Sequence, residues 1–276
     1  MSAASMIGRK FLVTGASDGI GKHTALRLAQ TGATVLMHGR NTEKLRKAME
    51  EIGQKTGNKY LESYIADLAS LDQVRSLSEE IHLKHSSLDV LVNNAGVFMA
   101  ARQESMDGYE MTFAVNVLAP FLLTSLLMDL LKKGRSSRIV HVSSVSHLES
   151  PEGGMDDLNS KSNYGDGRPA YGLSKLCEIM YTYKMARDSK ADDIIVNCLD
   201  PGTVNTHMLL QSWGPIGIPV EEANFQFRAA TDPALDKVKG KYFVDNEDTK
   251  SSDISYGIEK QEKLWATLVE MTGAVY

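Results

Sequence analysis

The amino-acid sequence predicts an α/β fold: a single doubly wound domain with a parallel sheet and helices on both faces. Three observations predict it. Short stretches that are apolar throughout, such as "KFLVTG" and "RIVHVSS", alternate with longer ones whose apolar residues recur at helical spacing. Strands apolar on both faces belong to a sheet covered on both sides, and the repeated β–α–β order makes it parallel with right-handed crossovers. No strong linker interrupts the pattern, so residues 1–276 read as one domain.

The elements follow in order. "KFLVTG" is the first strand. A helix runs from about Gly21, with Ala25, Leu28 and Ala29 on one face and Gly32 as its stop. "ATVLMHG" is the second strand, after which Asn41 caps a helix striped by Leu45, Met49 and Ile52. "YLESYIADL" is the third strand. Ser70 and Gln73 form a capping box ahead of the stripe Val74, Leu77 and Ile81. "LDVLVNNAG" is the fourth strand, ending in a polar turn. A long helix from about Asp107 to Lys132 leads to "RIVHVSS", the fifth strand. A polar loop spans Glu149 to Pro169, and a helix carries "YGLSKLCEIMYTYKMA". "DIIVNCLDPG" is the sixth strand, "GKYFVD" a short last one, and a C-terminal helix covers about Lys263 to Met271.

Composition excludes several functions. The net charge is −5, with no basic stripe for nucleic acid and no acidic tail. "MSAASMIGRK" is too short and mixed for a signal peptide or membrane anchor. The most apolar stretch, Val115 to Leu131, holds Asn116, Pro120, Thr124 and Asp129, so it reads as a helix buried in protein rather than lipid. Cys177 and Cys198 lack metal spacing and a disulfide framework; they read as small buried apolar residues of a protein in a reducing, cytoplasmic compartment. His82 and His85 have no further ligand beside them and read as a solvated helix face, so no metal site is expected.

Ligands of such sheets bind beyond the carboxyl ends of the strands. There "TGASDGIG" (Thr14 to Gly21) follows the first strand and opens a helix. Gly15, Gly19 and Gly21 permit close backbone approach to a pyrophosphate, with Ser17, Asp18 and Ile20 between them. The helix N-terminus adds free N–H groups and a favourable dipole. The domain is therefore of Rossmann type. Asp18 is out of place near phosphate, and its fitting role is to face away and cap the helix. The second strand ends in Gly39 and Arg40 rather than an acid. A guanidinium suits a 2′-phosphate, so the expected cofactor is NADP(H) rather than NAD(H). Asp67 and Leu68 stand where an adenine could be flanked, although Asp67 equally fits a turn. "AYGLSK" puts Tyr171 one helical turn before Lys175. A tyrosine of pKa about 10 shuttles protons poorly near neutrality, and a nearby cation favours its phenolate.

Taken together, "TGASDGIG", "NNAG" (Asn93 to Gly96), "YGLSK" and "DPGTVNT" (Asp200 to Thr206) resemble the short-chain dehydrogenase/reductase family over nearly the whole chain. "VNVLAPFLLT", "RIVHVSSVSH" and "GKYF" are similar to the branch containing retinol dehydrogenases and the WW-domain oxidoreductase. The resemblance implies a catalytic tetrad of Asn116, Ser144, Tyr171 and Lys175. Tyr171 is preferred to Tyr164 because it alone has lysine at i+4. "VSS" offers both Ser143 and Ser144, on opposite faces of a continuing strand, and the family pattern favours Ser144. It implies that Ser144 steadies the substrate oxygen and that Asn116 holds a water linking Lys175 to solvent. Lys175 would also hold the nicotinamide ribose, with Asn94, Ala95, Gly96, Pro201, Gly202, Val204 and Thr206 completing the nucleotide site.

The activity implied is hydride transfer between nicotinamide and an apolar carbonyl or alcohol that is retinoid-, steroid- or aldehyde-like. A lid is expected from His207 to about Pro233, with Met208, Leu209, Leu210, Trp213, Ile216, Ile218, Phe225 and Phe227 as its apolar residues and Pro215 and Pro219 stiffening it. Met99 and His147 are placed in packing or at the surface rather than in the pocket. The helix from Asp107 to Lys132 is the expected contact of a homodimer or homotetramer. "LWATLVEM" is the alternative cover for the lid. The competing reading is an NADP(H)-binding sensor or interaction protein with little catalysis.

Overall fold

The computed structural model describes residues 5–162, 164–188 and 194–276. Its sheet consists of Lys10–Val13 (β1), Thr34–Gly39 (β2), Leu61–Ile65 (β3), Val90–Asn93 (β4), Arg138–Val142 (β5), Ile195–Leu199 (β6), Tyr242–Val244 (β7) and Glu247–Asp248 (β8). The order is β3-β2-β1-β4-β5-β6-β7-β8, parallel up to β7, with β8 antiparallel. The order reverses between β1 and β4, and the carboxyl ends of those two strands flank the crevice where such sheets bind ligands.

Two apolar layers sandwich the sheet. Phe11 and Val13 of β1 face a cluster with Gly19–Gln30 (α1), Thr42–Thr56 (α2) and Phe225–Thr231 (α9). Leu12 faces the other cluster, with Leu71–Lys84 (α3) and Arg168–Asp188 (α7). This alternation is why the central strands are apolar throughout. Local chemistry sets the helix ends. Asn41 Oδ1 accepts from Lys44 N at 2.9 Å at the start of α2, and Gly57 at φ 69° ends it.

Several expected boundaries move. The long helix starts at Met111, not Asp107, because Gly108 sits at φ 79° and the Glu110 carboxylate caps Thr112 N and Phe113 N at 2.8 and 2.7 Å. It is also interrupted, as Met111–Phe113 (α4), a π-helical turn Ala114–Leu118, Ala119–Leu126 (α5) and Met128–Lys132 (α6). Much of its apolar face is covered by the chain itself. Phe121 is fully buried, and its ring lies 5.7 Å from Tyr181, 4.9 Å from Trp265 and 5.0 Å from Tyr276. The chain thus covers this helix with α7 and with its own C-terminal helix, Ile258–Thr272 (α10). That helix starts five residues before Lys263, since its first turns (Glu259, Lys260, Glu262) are polar and carry no apolar stripe. It does not cover the lid.

The capping box at Ser70 is half formed. Ser70 Oγ accepts from Gln73 N at 3.4 Å, but Gln73 Oε1 accepts from Asp67 N at 2.8 Å. His85 is not on a solvated face. Its side chain is 7% exposed and its Nε2 lies 2.9 Å from Glu62 Oε2. Strand β8 went unforeseen because it is two acidic residues long; Asp245 and Asn246, at φ 50° and 68°, make the tight turn into it.

Arg138 opens β5 while only 1% exposed. Its guanidinium donates to Ala229 O at 2.9 Å, Asp232 O at 2.7 Å and Asp236 Oδ1 at 2.5 Å, closing the C-terminal end of α9 onto the sheet. Arg138→Met strands those acceptors. The expected loss is about 2–4 kcal/mol, read as a lower denaturation midpoint at unchanged m-value.

Candidate active site

The carboxyl ends of the parallel strands open into a cavity of about 510 Å³. One end of it is the glycine turn. Gly15 and Gly19 take φ of 68° and 53°. A Cβ at Gly21 would stand 2.3 Å from Gly15 O and 2.4 Å from Asn94 Nδ2, so only glycine lets α1 close on the turn. Asp18 caps α1, accepting from Gly19 N at 2.7 Å, and its exposed side chain borders the cavity. Thr14 Oγ1 receives Asn94 N and Ala95 N, each at 3.0 Å, and Asn94 Nδ2 donates to Thr14 O at 2.8 Å, which stitches the turns after β1 and β4 together. His38 lies beneath, with Gly15 N donating to Nδ1 at 3.4 Å and Nε2 facing Ala66 O at 3.1 Å. Burial pushes its pKa down to about 4, so it braces the turn as a neutral ring.

Arg40 is exposed at the cavity margin. Ser17 packs against the preceding Gly39, where a Cβ would be 3.3 Å from Ser17 Cβ. Asp67 is a turn residue, accepting from Ala69 N at 3.0 Å, and it borders the cavity with Leu68.

At the other end α7 carries Tyr171 and Lys175. Lys175 is 4% exposed. Its Nζ donates to Val142 O at 2.9 Å and to Glu178 Oε1 and Oε2 at 3.1 Å each, and lies 5.5 Å from the centre of the Tyr171 ring. The two serines separate by their bonds. Ser143 Oγ donates to Lys175 O at 2.8 Å, while Ser144 Oγ accepts from Ser146 N at 3.1 Å, faces the cavity and favours the Tyr171 phenolate by hydrogen bonding.

The electrostatics differ from the simple Tyr–Lys expectation. Burial raises the Tyr171 pKa; Lys175 pulls it down, but Glu178 and Asp200 add to the rise. Burial works to lower Lys175, and Glu178 and Tyr171 outweigh it, so the ammonium is favoured. Asp200, 5% exposed, accepts from Val145 N at 2.8 Å and Gly202 N at 2.7 Å, tying together the loops after β5 and β6.

Of the expected residues, Gly15, Ser17, Asp18, Gly19, Ile20, Gly21, Arg40, Asp67, Leu68, Asn94, Ala95, Gly96, Ser144, Tyr171, Lys175, Pro201, Val204 and Thr206 all line this one cavity. Gly202 and Asn116 do not. Gly202, at φ 77°, turns the chain behind the wall, where a Cβ would meet the Phe225 ring at 3.3 Å. Asn116 is fully buried in the π turn. Its Oδ1 accepts from Val97 N at 2.8 Å, and its Nδ2 donates to Val97 O and Ser174 Oγ, both at 3.0 Å. Its side chain therefore braces the segment after β4.

The lid divides. Thr206 caps His207–Ser212 (α8), accepting from Leu209 N at 3.3 Å, and Met208, Leu209, Trp213 and Ile216 line the cavity. Leu210, Ile218, Phe225 and Phe227 do not: Phe225 and Phe227 pack on the α1 side of the core, and Ile218 is bridged to Val204. Trp213 and Phe98 close over the tyrosine. Ring centres are 4.7 Å apart for Phe98–Trp213, 5.8 Å for Phe98–Tyr171 and 6.4 Å for Tyr171–Trp213. Met99 offers only its carbonyl, to Tyr164 Oη at 2.8 Å. His147 Nε2 accepts from Ser252 N at 3.1 Å away from the cavity.

Sequence reasoning missed Thr14, His38, Phe98 and Glu178. The strand-end positions of Thr14 and His38, beside the glycine turn, were the available signal.

A doubly wound sheet with a glycine turn at its switch point, facing a Tyr–Lys pair across one cavity, defines an α/β protein of the dinucleotide-binding kind. Comparison with known proteins makes this specific. The family model described as short chain dehydrogenase matches residues 9–214. Human polyprenol dehydrogenase is 36% identical over 97% of this chain and 86% of its own length. Human retinol dehydrogenase 13 is 32% identical over 99% of this chain and 87% of its own. A solved short chain dehydrogenase from Shigella flexneri, complexed with NADP, superimposes with a TM-score of 0.73 at 26% identity, over 88% of this chain and 98% of that one. The chain belongs to the short-chain dehydrogenase/reductase family of oxidoreductases, in its retinol-dehydrogenase-like branch. Among the described residues no helix is long and apolar enough to cross a membrane.

Proposed function

We propose that the chain is one catalytic domain that transfers hydride between NADP(H) and an apolar carbonyl or alcohol. The observation that carries this reading is the convergence of Ser144, Tyr171 and Lys175 with the glycine turn on one cavity. The cradle fits a dinucleotide, because Gly21 leaves no room for a side chain where α1 meets the turn. In this reading Gly15, Ser17, Gly19 and Ile20 hold the pyrophosphate and Asp67 and Leu68 flank the adenine. Asn94, Ala95 and Gly96 support the ribose side, and Val204 and Thr206 contact the carboxamide. The bound nicotinamide supplies or accepts the hydride.

The chain's own residues handle the proton and the charge. Ser144 Oγ–H donates to the substrate oxygen and steadies the charge that develops there. Tyr171 Oη gives its proton to that oxygen in reduction and takes it back in oxidation. Lys175 stabilises the phenolate between these events. Met208, Leu209, Trp213 and Ile216 form an apolar wall, with Phe98 packed against Trp213 and Tyr171, and this wall suits an apolar substrate. Two relatives are named for apolar alcohols, polyprenol and retinol, in keeping with that wall.

The test is oxidation of the reduced nucleotide by purified protein across aliphatic, aromatic, retinoid and steroid carbonyls. Turnover with NADPH supports the reading; nucleotide binding with no turnover on any class sinks it. Arg40 carries the choice of nucleotide, because an exposed guanidinium at the cavity margin can clasp a 2′-phosphate. Arg40→Ala is expected to lower the preference for NADPH over NADH by about 10- to 100-fold, almost wholly through KM for NADPH. An unchanged ratio would remove Arg40 from this role.

A further inference from the structure

The Tyr171–Lys175 pair has a third member on the same helix. Glu178 lies a turn beyond Lys175, its side chain 4% exposed, as is that of Lys175. An ammonium has three protons to donate. The bonds of Lys175 Nζ go to both Glu178 oxygens at 3.1 Å and to Val142 O at 2.9 Å, and the structure shows none to Tyr171. A carboxylate bonded to the ammonium acts on the phenol with opposite sign, so Tyr171 feels less than the full charge of Lys175.

The other titratable groups around this pair leave the balance to a few charges. On α7, burial raises Cys177 and Tyr181, which stay neutral. On β5, burial pushes His141 down to about 3, so it stays neutral as well. On β6, burial raises Cys198. At the end of β6, Asp200 carries charge but is held by Val145 N and Gly202 N. Lys175, Glu178 and Asp200 therefore set the field at Tyr171. Burial pushes Glu178 up to about 7 against the pull of Lys175, so its charge is present above neutrality and fades below it.

We propose that Glu178 is a positioning residue that holds the Lys175 ammonium and offsets its charge, keeping Tyr171 a neutral phenol and biasing the site toward proton donation, the carbonyl-reducing direction. The proposal rests on the oxidoreductase reading above. Glu178 transfers no proton to substrate; the bonds made and broken are those of the Tyr171 step.

The test compares Glu178→Gln and Glu178→Asp with the unaltered protein. It measures pH profiles of kcat for reduction and for the reverse oxidation, with circular dichroism and thermal unfolding as checks on folding. Tyr171 and Asp200 still favour the Lys175 ammonium in this variant, so removing the negative charge of Glu178 lowers the Tyr171 pKa. In Glu178→Gln the limb belonging to Tyr171 is expected to move to lower pH by about one unit in both directions. Oxidation at neutral pH then gains up to about tenfold on reduction. Glu178→Asp keeps the charge but withdraws it by one methylene, so it moves the limb the same way by less. It serves as the second arm if Glu178→Gln does not fold. An unmoved limb in a folded variant overturns the proposal. Tyr171→Phe separates the two readings: its inactivity with an unmoved limb in the Glu178 variants sinks only the role of Glu178, whereas its full activity sinks the reaction itself.

Discussion

Tyr171→Phe is expected to cut turnover about a thousandfold or more while leaving nucleotide binding nearly unchanged. The substitution removes one oxygen. It keeps the ring that packs at 5.8 Å from Phe98 and 6.4 Å from Trp213, so the wall of the cavity stays in place. What is lost is, among the described residues, the only tyrosine hydroxyl on the cavity, and with it the acid that protonates the substrate oxygen. The fall should lie in kcat, because the hydroxyl matters most in the transition state. Steady-state kinetics on an active carbonyl, beside nucleotide titration by fluorescence, checks both halves. A variant that binds nucleotide and still turns over at the original rate would remove Tyr171 from the chemistry.

The second large effect is expected at Gly21. Its Cβ would stand 2.3 Å from Gly15 O and 2.9 Å from Gly15 C, which are backbone atoms, and 2.4 Å from Asn94 Nδ2. The amide cannot simply swing away, because it is tied to Thr14 O at 2.8 Å. Alanine inside α1 would ordinarily gain about 1 kcal/mol of helix propensity over glycine. Here that gain is outweighed by the need to push α1 off the turn, and Gly21→Ala should cost about 2–4 kcal/mol of stability. Nucleotide binding should fail with it, since the same shift opens the cradle. Chemical denaturation and nucleotide titration read the two effects separately. Unchanged stability would mean that the turn yields more readily than its contacts imply.

Much of the fold could be read in the sequence because its signals are local. Phe11, Leu12 and Val13 sit between two apolar layers, and a strand buried on both faces announces itself as an unbroken apolar run. The glycine turn was legible because steric room forces the residue type, and the Tyr–Lys pair because helical spacing fixes it. What escaped depends on long-range packing. Glu178 sits three residues after Lys175, a spacing that on most helices marks a weak solvent-exposed pair. Only the burial of α7 on nearly every side turns it into a close partner of the active-site lysine. The π turn at Asn116 has no sequence period to betray it. The cover over Phe121 comes from residues about 150 positions later, which no local pattern reaches. The net electrostatics of Tyr171 escaped for the same reason, because burial and Asp200 act from across the fold.

The aromatic closure over Tyr171 also gives the molecule an optical asymmetry. The chain has two tryptophans. Trp213 lies against Phe98 on the cavity wall. Trp265 packs between Phe121 and Tyr276 beneath the C-terminal segment and takes no part in the cavity. A reduced nicotinamide absorbs where indole emits, so occupancy of the site is coupled directly to the light from Trp213, the indole that lines it. Trp213 thus reports on the contents of the cavity, and Trp265 adds a signal from the seating of the chain's last helix.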